Sequence, residues 1–315
     1  MIPFTLRQLQ YFVSAAEHGG TAQAANAMNV SQPSVSMAIK QLEEALGESL
    51  FVRQHAQGLV LTPAGRAKLA EARSLLSQSK AWIASPTGMN GRDAWIDVGC
   101  FVTLGPSHLP AIIRCFRQHN PGVQVRLREA NVEQLHHLID NGSIEVALTY
   151  DLGLGRSGNM EVVGYLKPHA LVGSDHPLAT RRSVSLKEIA ENPLILIGLP
   201  HSKEYFLSLF RSAGITPNIA METQSLEMVR GMVANGHGVS VLVTKPSPQV
   251  SYDGRPLICL EISETVPPQK VVVITPRHFP VTWMAEAFIQ SIRQHFSTAS
   301  EGGEASRRSW DPTCT

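Results

Sequence analysis

The sequence predicts two units of different fold class: an all-α N-terminal unit followed by a long helix, and a two-lobed α/β C-terminal unit. Over residues 1–66 the apolar residues recur three and four positions apart, in a segment rich in Ala, Gln and Ser. From Trp95 onward, short β-branched runs alternate with helical stretches. The chain has 315 residues, of which 43% are hydrophobic, so it is long enough for two or three cores.

Composition shifts along the chain give the expected boundaries. A segment rich in Pro, Gly, Asn and Ser separates the two units and has the composition of a hinge. The last residues lack a core pattern and are expected to be disordered. The units are an N-terminal domain at 1–62, a linker helix at 63–84, a hinge at 85–93, an α/β domain at 94–297 with lobes at about 94–163 plus 266–297 and 164–265, and a tail at 298–315.

Three short helices are predicted in the first 46 residues. Thr5 is a candidate N-cap for the first helix, and Thr21 for the second, which is rich in alanine. Asn29 tolerates a left-handed turn between the second and third helices, and Val30 can fill the corner. Ser31 caps the third helix. The residues that this helix buries are Val35, Ile39, Leu42 and Leu46.

The opposite face of the third helix is polar and suits the major groove of DNA. A Gln in the first turn can pair bidentately with adenine, Ser can contact either base type or a phosphate, and the free N–H groups of the first turn suit a phosphate. The residues assigned to this face are Ser31, Gln32, Pro33, Ser34, Ser36, Met37 and Lys40.

Two short strands around a Gly-containing turn follow, with Arg53 and His55 exposed. This is the pattern of a wing, which would place Arg53 on the flanking backbone or in the minor groove. A three-helix unit with a polar face could also be a protein-interaction module, and the wing is the feature that favours DNA.

Bulk charge does not support DNA binding. Residues 1–66 hold four basic and four acidic side chains, and the whole chain has a formal net charge of +1. Affinity would therefore have to come from the placement of a few contacts and from dimerisation, because phosphate neutralisation scales with the number of cations presented.

These motifs resemble the LysR-type transcriptional regulators across nearly the whole N-terminal domain. Matching members of that family use the residues corresponding to Gln32, Pro33 and Ser36 at the groove, and that corresponding to Arg53 on the wing. The sequence departs from the family by carrying Met37 where many members have Arg, and Met could instead contact a thymine methyl. The segments that resemble the family include Leu9-Gln10-Tyr11-Phe12, Val30-Ser31-Gln32-Pro33-Ser34-Val35-Ser36, Leu50-Phe51-Val52-Arg53 and Leu61-Thr62-Pro63-Ala64-Gly65.

The linker helix is predicted from Thr62 as cap and Pro63 as first residue to about Ile83. Its apolar stripe needs a partner. Packing against its own domain is one interpretation; a two-fold dimer helix is the preferred one, since helix-turn-helix proteins bind paired half-sites. The resemblance implies a dimer and commonly a tetramer. The stripe consists of Leu69, Ala72, Leu76 and Ile83.

From Trp95 the strand–helix alternation predicts parallel strands with crossover helices. A capping box at Ser185 to Glu188 begins the elements of the second lobe, and a strand over 271–275 with a helix over 282–296 returns to the first. The effector domain of the LysR-type family, similar to type 2 periplasmic binding proteins, has this two-lobed form.

Ligands in open α/β sheets bind beyond the carboxyl ends of the strands, where helix N-termini point inward. Hydroxyls and an imidazole at such positions suit a small carboxylate or other anion, although ordinary helix capping explains each one equally well. By resemblance, the positions of Thr103 and of the segment around His201 and Ser202 line the effector cleft. The candidate residues are Phe101, Val102, Thr103, Asn131, Thr149, His201, Ser202 and Ser225.

No catalytic motif or cofactor fingerprint is present, so no enzyme activity and no cofactor are expected. The pair His136-His137 cannot share a helix face, which disfavours a metal site. Four scattered cysteines, no signal peptide and no membrane-spanning run predict a cytoplasmic protein without a membrane partner.

The sequence therefore predicts a DNA-binding regulator whose partners are double-stranded operator DNA, a small-molecule effector, a second copy of the chain and, by resemblance, RNA polymerase. Effector binding would change the spacing of paired winged helices on DNA. The alternative is a small-molecule binding protein or enzyme with an N-terminal protein-interaction unit.

Overall fold

The computed structural model describes residues 2–54, 58–83, 94–153 and 158–301. For residues 53, 54, 58 and 298–301 only the backbone is described. His55, the hinge expected at 85–93 and the tail beyond Glu301 thus lie outside the described residues.

The N-terminal domain begins with three helices, α1 (Leu6–His18), α2 (Thr21–Ala27) and α3 (Gln32–Leu46). Thr5 caps α1 through a reciprocal capping box with Gln8, and Ser31 caps α3, as predicted. Thr21 is not a cap: the cap position is Gly20, and Thr21 is the first helical residue. The left-handed turn falls at Asn29, with φ of 54°.

A two-stranded antiparallel wing, β1 (Phe51–Gln54) and β2 (Gly58–Leu61), follows α3. The next helix, α4 (Pro63–Ile83), begins where Thr62 Oγ1 accepts a hydrogen bond from Gly65 N at 2.8 Å. Gly65 approaches the wing so closely that a Cβ there would lie 2.0 Å from Leu50 O. This contact fixes the start of α4 against the start of the wing.

Most of the apolar stripe of α4, which was predicted to form a dimer face, is buried within the same chain. Leu69, Ala72 and Leu76 are buried in their own domain, in a cluster with Leu9 and Phe12. The interpretation in which this stripe packs within its own domain is therefore right for these three residues. A second face of α4 is left uncovered in the single chain, and its exposed apolar residues are Leu75, Trp82 and Ile83.

The first lobe is built on a five-stranded sheet in the order β4-β3-β5-β13-β6. Strands β3, β4 and β5 are parallel, whereas β13 runs antiparallel to both β5 and β6. Helix α10 packs on α5 through Phe116 and Phe288, whose ring centroids are 5.2 Å apart. The elements are β3 (Ala94–Phe101), α5 (Gly105–His119), β4 (Val123–Ala130), α6 (Val132–Asp140), β5 (Val146–Tyr150), β6 (Asn159–Leu166), β13 (Gln269–Thr275) and α10 (Trp283–Glu301).

The second lobe contains a four-stranded sheet in the order β11-β7-β12-β8, and a parallel pair of β10 and β9 that is joined to it by a bridge between Leu194 and Val239. The predicted capping box at Ser185 is present. The elements are β7 (His169–Gly173), β8 (Ser183–Val184), α7 (Leu186–Ala190), β9 (Leu194–Ile197), α8 (Ser202–Ser212), β10 (Ile219–Thr223), α9 (Leu226–Ala234), β11 (Ser240–Leu242) and β12 (Leu257–Ile262).

Two elements differ from their predicted bounds. Strand β6 continues to Leu166 in the first-lobe sheet, so the first connection between lobes is Lys167–Pro168 rather than a point near 164. Helix α10 runs to Glu301, past the predicted end at Phe296.

Direct contacts join the N-terminal domain and α4 to the first lobe. Arg73 on α4 donates to Glu17 of α1 at 3.0 Å and to the backbone oxygen of Asn141, after α6, at 2.9 Å. Trp283 Nε1 donates to Ala81 O at 2.9 Å. The Arg73 side chain of α4 therefore bridges α1 and the first lobe.

Candidate functional site

The seven residues that were assigned to the groove are the N-cap Ser31 and six residues of α3. Six of them are exposed and Ser36 is half-buried. Met37 is 57% exposed. Lys40 Nζ lies 3.8 Å from Glu44 Oε1, but its side chain is 71% exposed, so the ion pair is weak and the ammonium is available to a phosphate.

Gln32 is held by two hydroxyls. Its Nε2 donates to Ser36 Oγ at 2.8 Å and to Thr21 Oγ1 at 3.1 Å. Ser31 and Ser34 hydroxyls pair with each other at 2.7 Å. Both amide protons of Gln32 are thus engaged within the domain, and bidentate pairing with adenine requires at least one of these bonds to be exchanged for a bond to the base.

Two residues outside the predicted set, Thr21 and Glu43, make contacts that hold α3 and Gln32 in place. Glu43 Oε1 accepts from Leu50 N at 2.7 Å and from Phe51 N at 3.2 Å, which ties α3 to the first residues of the wing. Arg53 is paired with Leu59 across the wing; its side chain lies outside the description. No sequence period signals Thr21 or Glu43, because both act through contacts between elements.

A cavity of about 20 Å³ lies between the two lobes. This space holds roughly one water molecule. Its wall contains no charged side chain; the polar residues lining it are Thr103, Tyr150, Ser202, Tyr205, Thr244 and Gln269. A ligand larger than water therefore requires the walls of the cavity to move apart, and an anion here would be neutralised by helix N-termini and hydroxyls alone.

Several polar groups at the cavity are buried. Ser202, in the first turn of α8, is 6% exposed and its Oγ has no hydrogen-bond partner; the same is true of Gln269 Oε1. Thr103 Oγ1 donates to Tyr150 Oη at 3.5 Å, and burial raises the pKa of Tyr150 far above its usual value. Ser202 Oγ, the Gln269 amide and the neutral Tyr150 hydroxyl can therefore bond to a ligand.

Two of the eight predicted cleft residues, Thr103 and Ser202, line the cavity. Phe101 is buried in the lobe 1 core against Tyr150, and Thr149 is fully buried with its hydroxyl unpaired. Asn131 and Ser225 cap α6 and α9. Of the other two, Val102 is half-buried against the core, and His201 precedes α8.

Tyr150 ends strand β5, and Thr244 comes shortly after strand β11. Because ligands in α/β sheets bind beyond strand ends, this position could have identified both residues as part of the cavity wall. Gln269 starts the returning strand β13 and carries no such signal.

His201 has an unusual backbone, with φ of 62°, in the left-handed region that non-glycine residues rarely adopt. Its Nε2 lies 2.9 Å from Glu133 Oε1 of α6 in the other lobe. His201 was predicted to line the effector cleft. In the structure its imidazole contacts Glu133 instead and does not line the inter-lobe cavity.

Among the residues that the structure describes, no group of three or more His, Cys, Asp or Glu side chains could hold a metal ion. A search of the same residues finds no helix both long and apolar enough to span a membrane.

Two family models match the chain. The model described as "Bacterial regulatory helix-turn-helix protein, lysR family" matches residues 6–66, which contain α1 to α3 and the wing. The model described as "LysR substrate binding domain" matches residues 90–297, which contain both lobes.

Individual regulators are also similar to this chain in sequence and in structure. The DNA-binding transcriptional dual regulator OxyR of Escherichia coli is 31% identical over 245 residues, 75% of this chain and 78% of OxyR. The crystal structure of HinK, a LysR family transcriptional regulator from Pseudomonas aeruginosa, is 36% identical with a TM-score of 0.62, covering 93% of this chain and 99% of HinK. A full-length OxyR variant from Pseudomonas aeruginosa is 26% identical with a TM-score of 0.71, covering 92% of this chain and 98% of the variant.

Proposed function

Because the chain belongs to the LysR family of DNA-binding transcriptional regulators and has that family's effector-binding domain, we propose that it responds to a small carboxylate or similar anion bound between its lobes. The DNA contacts proposed are those of the exposed face of α3, with Arg53 on the wing. The observation that supports them best is the solvent-exposed row of Gln32, Met37 and Lys40 on a capped helix.

The effector proposal is supported by the unpaired Ser202 hydroxyl at the start of α8. The backbone N–H groups of that helix turn and the Thr103 hydroxyl would bind the anionic group, and Tyr150, Tyr205 and Phe206 would surround an apolar body. Since the volume of the cavity is only about 20 Å³, binding of such an anion would stabilise a more open arrangement of the lobes.

Relatives of the chain include a protein of Dickeya chrysanthemi named hydrogen peroxide-inducible genes activator, but the described cysteines disfavour thiol-based sensing. Burial raises the pKa of Cys100 to about 12 and also raises that of Cys259. Reactive cysteines need a thiolate, and no described cysteine lines the inter-lobe cavity. Oxidation of Cys100 or Cys259 by peroxide is therefore expected to be slow.

Self-association is proposed through the uncovered face of α4. Leu75 and Trp82 lie seven residues apart on the same side of α4 and are 48% and 83% exposed. Two copies joined there would present two α3 helices to paired half-sites, which compensates for the neutral charge of each domain. Contact with RNA polymerase is proposed only by analogy with the family.

DNA binding is tested by fluorescence anisotropy with the DNA upstream of the protein's own gene, across a salt series. Affinity should fall steeply with salt, and Gln32→Ala combined with Arg53→Ala should weaken binding by at least about tenfold. Lys187→Ala, an exposed cation in the second lobe, is the control and should leave affinity unchanged. Salt-independent binding, or equal affinity of the double variant and the control, would contradict the proposal.

The effector site is tested by thermal shift against a panel of small carboxylates. A ligand present at 100 times its dissociation constant adds roughly 2.7 kcal/mol to the stability of the folded state. Thr103→Val and Ser202→Ala should reduce the shift of a responding ligand. A shift that survives both changes would place the ligand elsewhere.

A further inference from the structure

A second concavity on the α/β domain is large enough for a small molecule without any movement of the lobes. It has a volume of about 740 Å³, whereas the inter-lobe cavity has about 20 Å³. Ordinary ligand sites occupy about 300 to 1,000 Å³. We call this concavity the basic groove and define it by Tyr165, Lys167, Arg230, Lys245, Ser251 and Tyr252.

The basic groove has an excess of positive charge. Three cations line it, and Glu227, the one carboxylate among the lining residues, is paired with Arg230. Lys167 and Lys245 are exposed and form no ion pair with the described part of the chain. Both lysines also line a neighbouring concavity that contains Glu261 and Glu264, but neither is paired with these carboxylates, so both ammonium groups can turn to an anion in the groove.

Arg230 is fixed beneath the groove. It is 6% exposed, bonds to Glu227 through Nη1, donates from Nη2 to Thr244 O at 3.1 Å, and leaves Nε without a partner.

Aromatic side chains accompany these cations. Tyr165 of β6 is 60% exposed, and Tyr252, in the segment between β11 and β12, is 92% exposed. Such exposure of two large rings in one groove is a feature of ligand sites, since aromatic faces bind planar groups by stacking. Pro246 and Pro248 add rigid apolar surface to the same groove.

We propose that the basic groove binds a small aromatic anion, a planar ring carrying a carboxylate or phosphate, at a site that adjoins the inter-lobe cavity through Val243 and Thr244 but does not include Thr103 or Ser202. The ring contacts Tyr165 and Tyr252, and the anionic group contacts Lys167 and Lys245. Tyr165 belongs to the first lobe and Lys245 to the second, while Lys167 begins the connection between them. The bound molecule therefore contacts both lobes, and its affinity depends on the angle between them.

The test is isothermal titration of the full-length chain with phenyl phosphate. Saturable binding with a dissociation constant of about 0.1 to 1 mM is expected for a molecule of this size. Lys167→Gln and Lys245→Gln should each weaken it by about fivefold, because each removes one exposed charge next to the anion. The two lysines are exposed, so their replacement leaves the fold intact.

Lys187→Gln is the matched control, since Lys187 is an exposed lysine of the second lobe outside the groove, and it should bind phenyl phosphate as the original chain does. Ser202→Ala, which alters the inter-lobe cavity, should also leave this affinity unchanged. Inorganic phosphate and benzyl alcohol should each bind more weakly than phenyl phosphate.

Three results would overturn the proposal: no saturable binding up to about 10 mM, equal affinity of the Lys167→Gln, Lys245→Gln and Lys187→Gln variants, or binding lost in Ser202→Ala alone. The third result would assign the probe to the inter-lobe cavity. The groove proposal and the cavity proposal are thus distinguished by the variants that respond.

Discussion

His201 Nε2 lies 2.9 Å from Glu133 Oε1, and this contact joins the second lobe to the first beside the inter-lobe cavity. His201 holds a left-handed backbone conformation, with φ of 62° and ψ of −31°, immediately before α8. A non-glycine residue keeps such a conformation only where its surroundings require it. The contact therefore favours the closed arrangement, in which the cavity is nearly filled.

Glu133→Gln should make the lobes separate more readily, because it removes the charge that faces His201. Both side chains are partly exposed, so the effect is limited to about 1 kcal/mol, or roughly fivefold in the equilibrium between closed and open forms. Hydrogen exchange at the backbone amides of 202–206 should become faster. Asp140→Asn, an exposed change on the same helix, is the control, and equal exchange in the two variants would show that the contact does not affect closure.

Thr21→Val should weaken operator binding by up to about fivefold, because the Gln32 amide, held by Ser36 alone, would have to be oriented when it meets the base. The Thr21 hydroxyl accepts from Gln32 Nε2 and so orients the amide that is proposed to contact a base. Fluorescence anisotropy with the operator measures the change. Thr21→Ser keeps the hydroxyl and should bind as the original chain does; a loss of the same size in Thr21→Ser would mean that the methyl group, not the hydroxyl, is required.

Gly65→Ala should destabilise the N-terminal domain by about 1 to 3 kcal/mol, because its Cβ would lie 2.0 Å from Leu50 O, a backbone atom that cannot turn aside. Gly231→Ala is the matched control. Gly231 lies inside α9, where an added Cβ meets nothing within 4 Å, so this change should be neutral or stabilise by up to about 1 kcal/mol. Chemical denaturation measures both, and similar midpoints would contradict the steric argument.

Mild acid should lower the free energy of unfolding. Burial lowers the pKa of His108 to about 4 and that of His169 to about 3, whereas both titrate near 6.5 in an unfolded chain. As pH falls from 6.5 to about 4, the unfolded state takes up protons that the folded state does not, so stability is complete above 6.5 and is lost across this window. Each group contributes up to about 1.4 kcal/mol per pH unit.

His169→Gln should reduce this pH dependence, measured by denaturation midpoints at several pH values. Asp97 and Glu145 act in the opposite sense, since burial raises the pKa of both carboxyls. The comparison of variant with original chain removes their contribution. An unchanged slope in His169→Gln would show that this imidazole is not the group responsible.

Local signals predicted the elements and many of their ends. The caps at Thr5, Ser31 and Ser185 were predicted from the hydroxyl and its position before an apolar period, and all three are present. Thr21 has the same sequence pattern, but it is not a cap. Its hydroxyl accepts a hydrogen bond from Gln32, eleven residues away. Such a contact depends on how two helices cross, which no local pattern encodes.

Burial was predicted less well where it depends on neighbours. The stripe on α4 was correctly identified as apolar, but the sequence could not tell whether it packs on its own domain or on a second copy, because both partners satisfy the same period. At the cavity, Thr103 and Ser202 follow the strand-end rule and line the wall, whereas Gln269 reaches it from a strand far along the chain.

Trp95 in β3 lies between two cations: Lys80 Nζ of α4 is 4.0 Å, and Arg126 Cζ of β4 is 3.8 Å, from its ring centroid. Arg126 belongs to the same sheet as Trp95 and moves with it, whereas Lys80 belongs to the linker. Indole emission depends on nearby charge, so the intensity and wavelength from this residue change when α4 shifts against the first lobe. Separation of the lobes alone leaves both cations in place. Trp95 is therefore a native optical reporter of whether a ligand's effect reaches the linker.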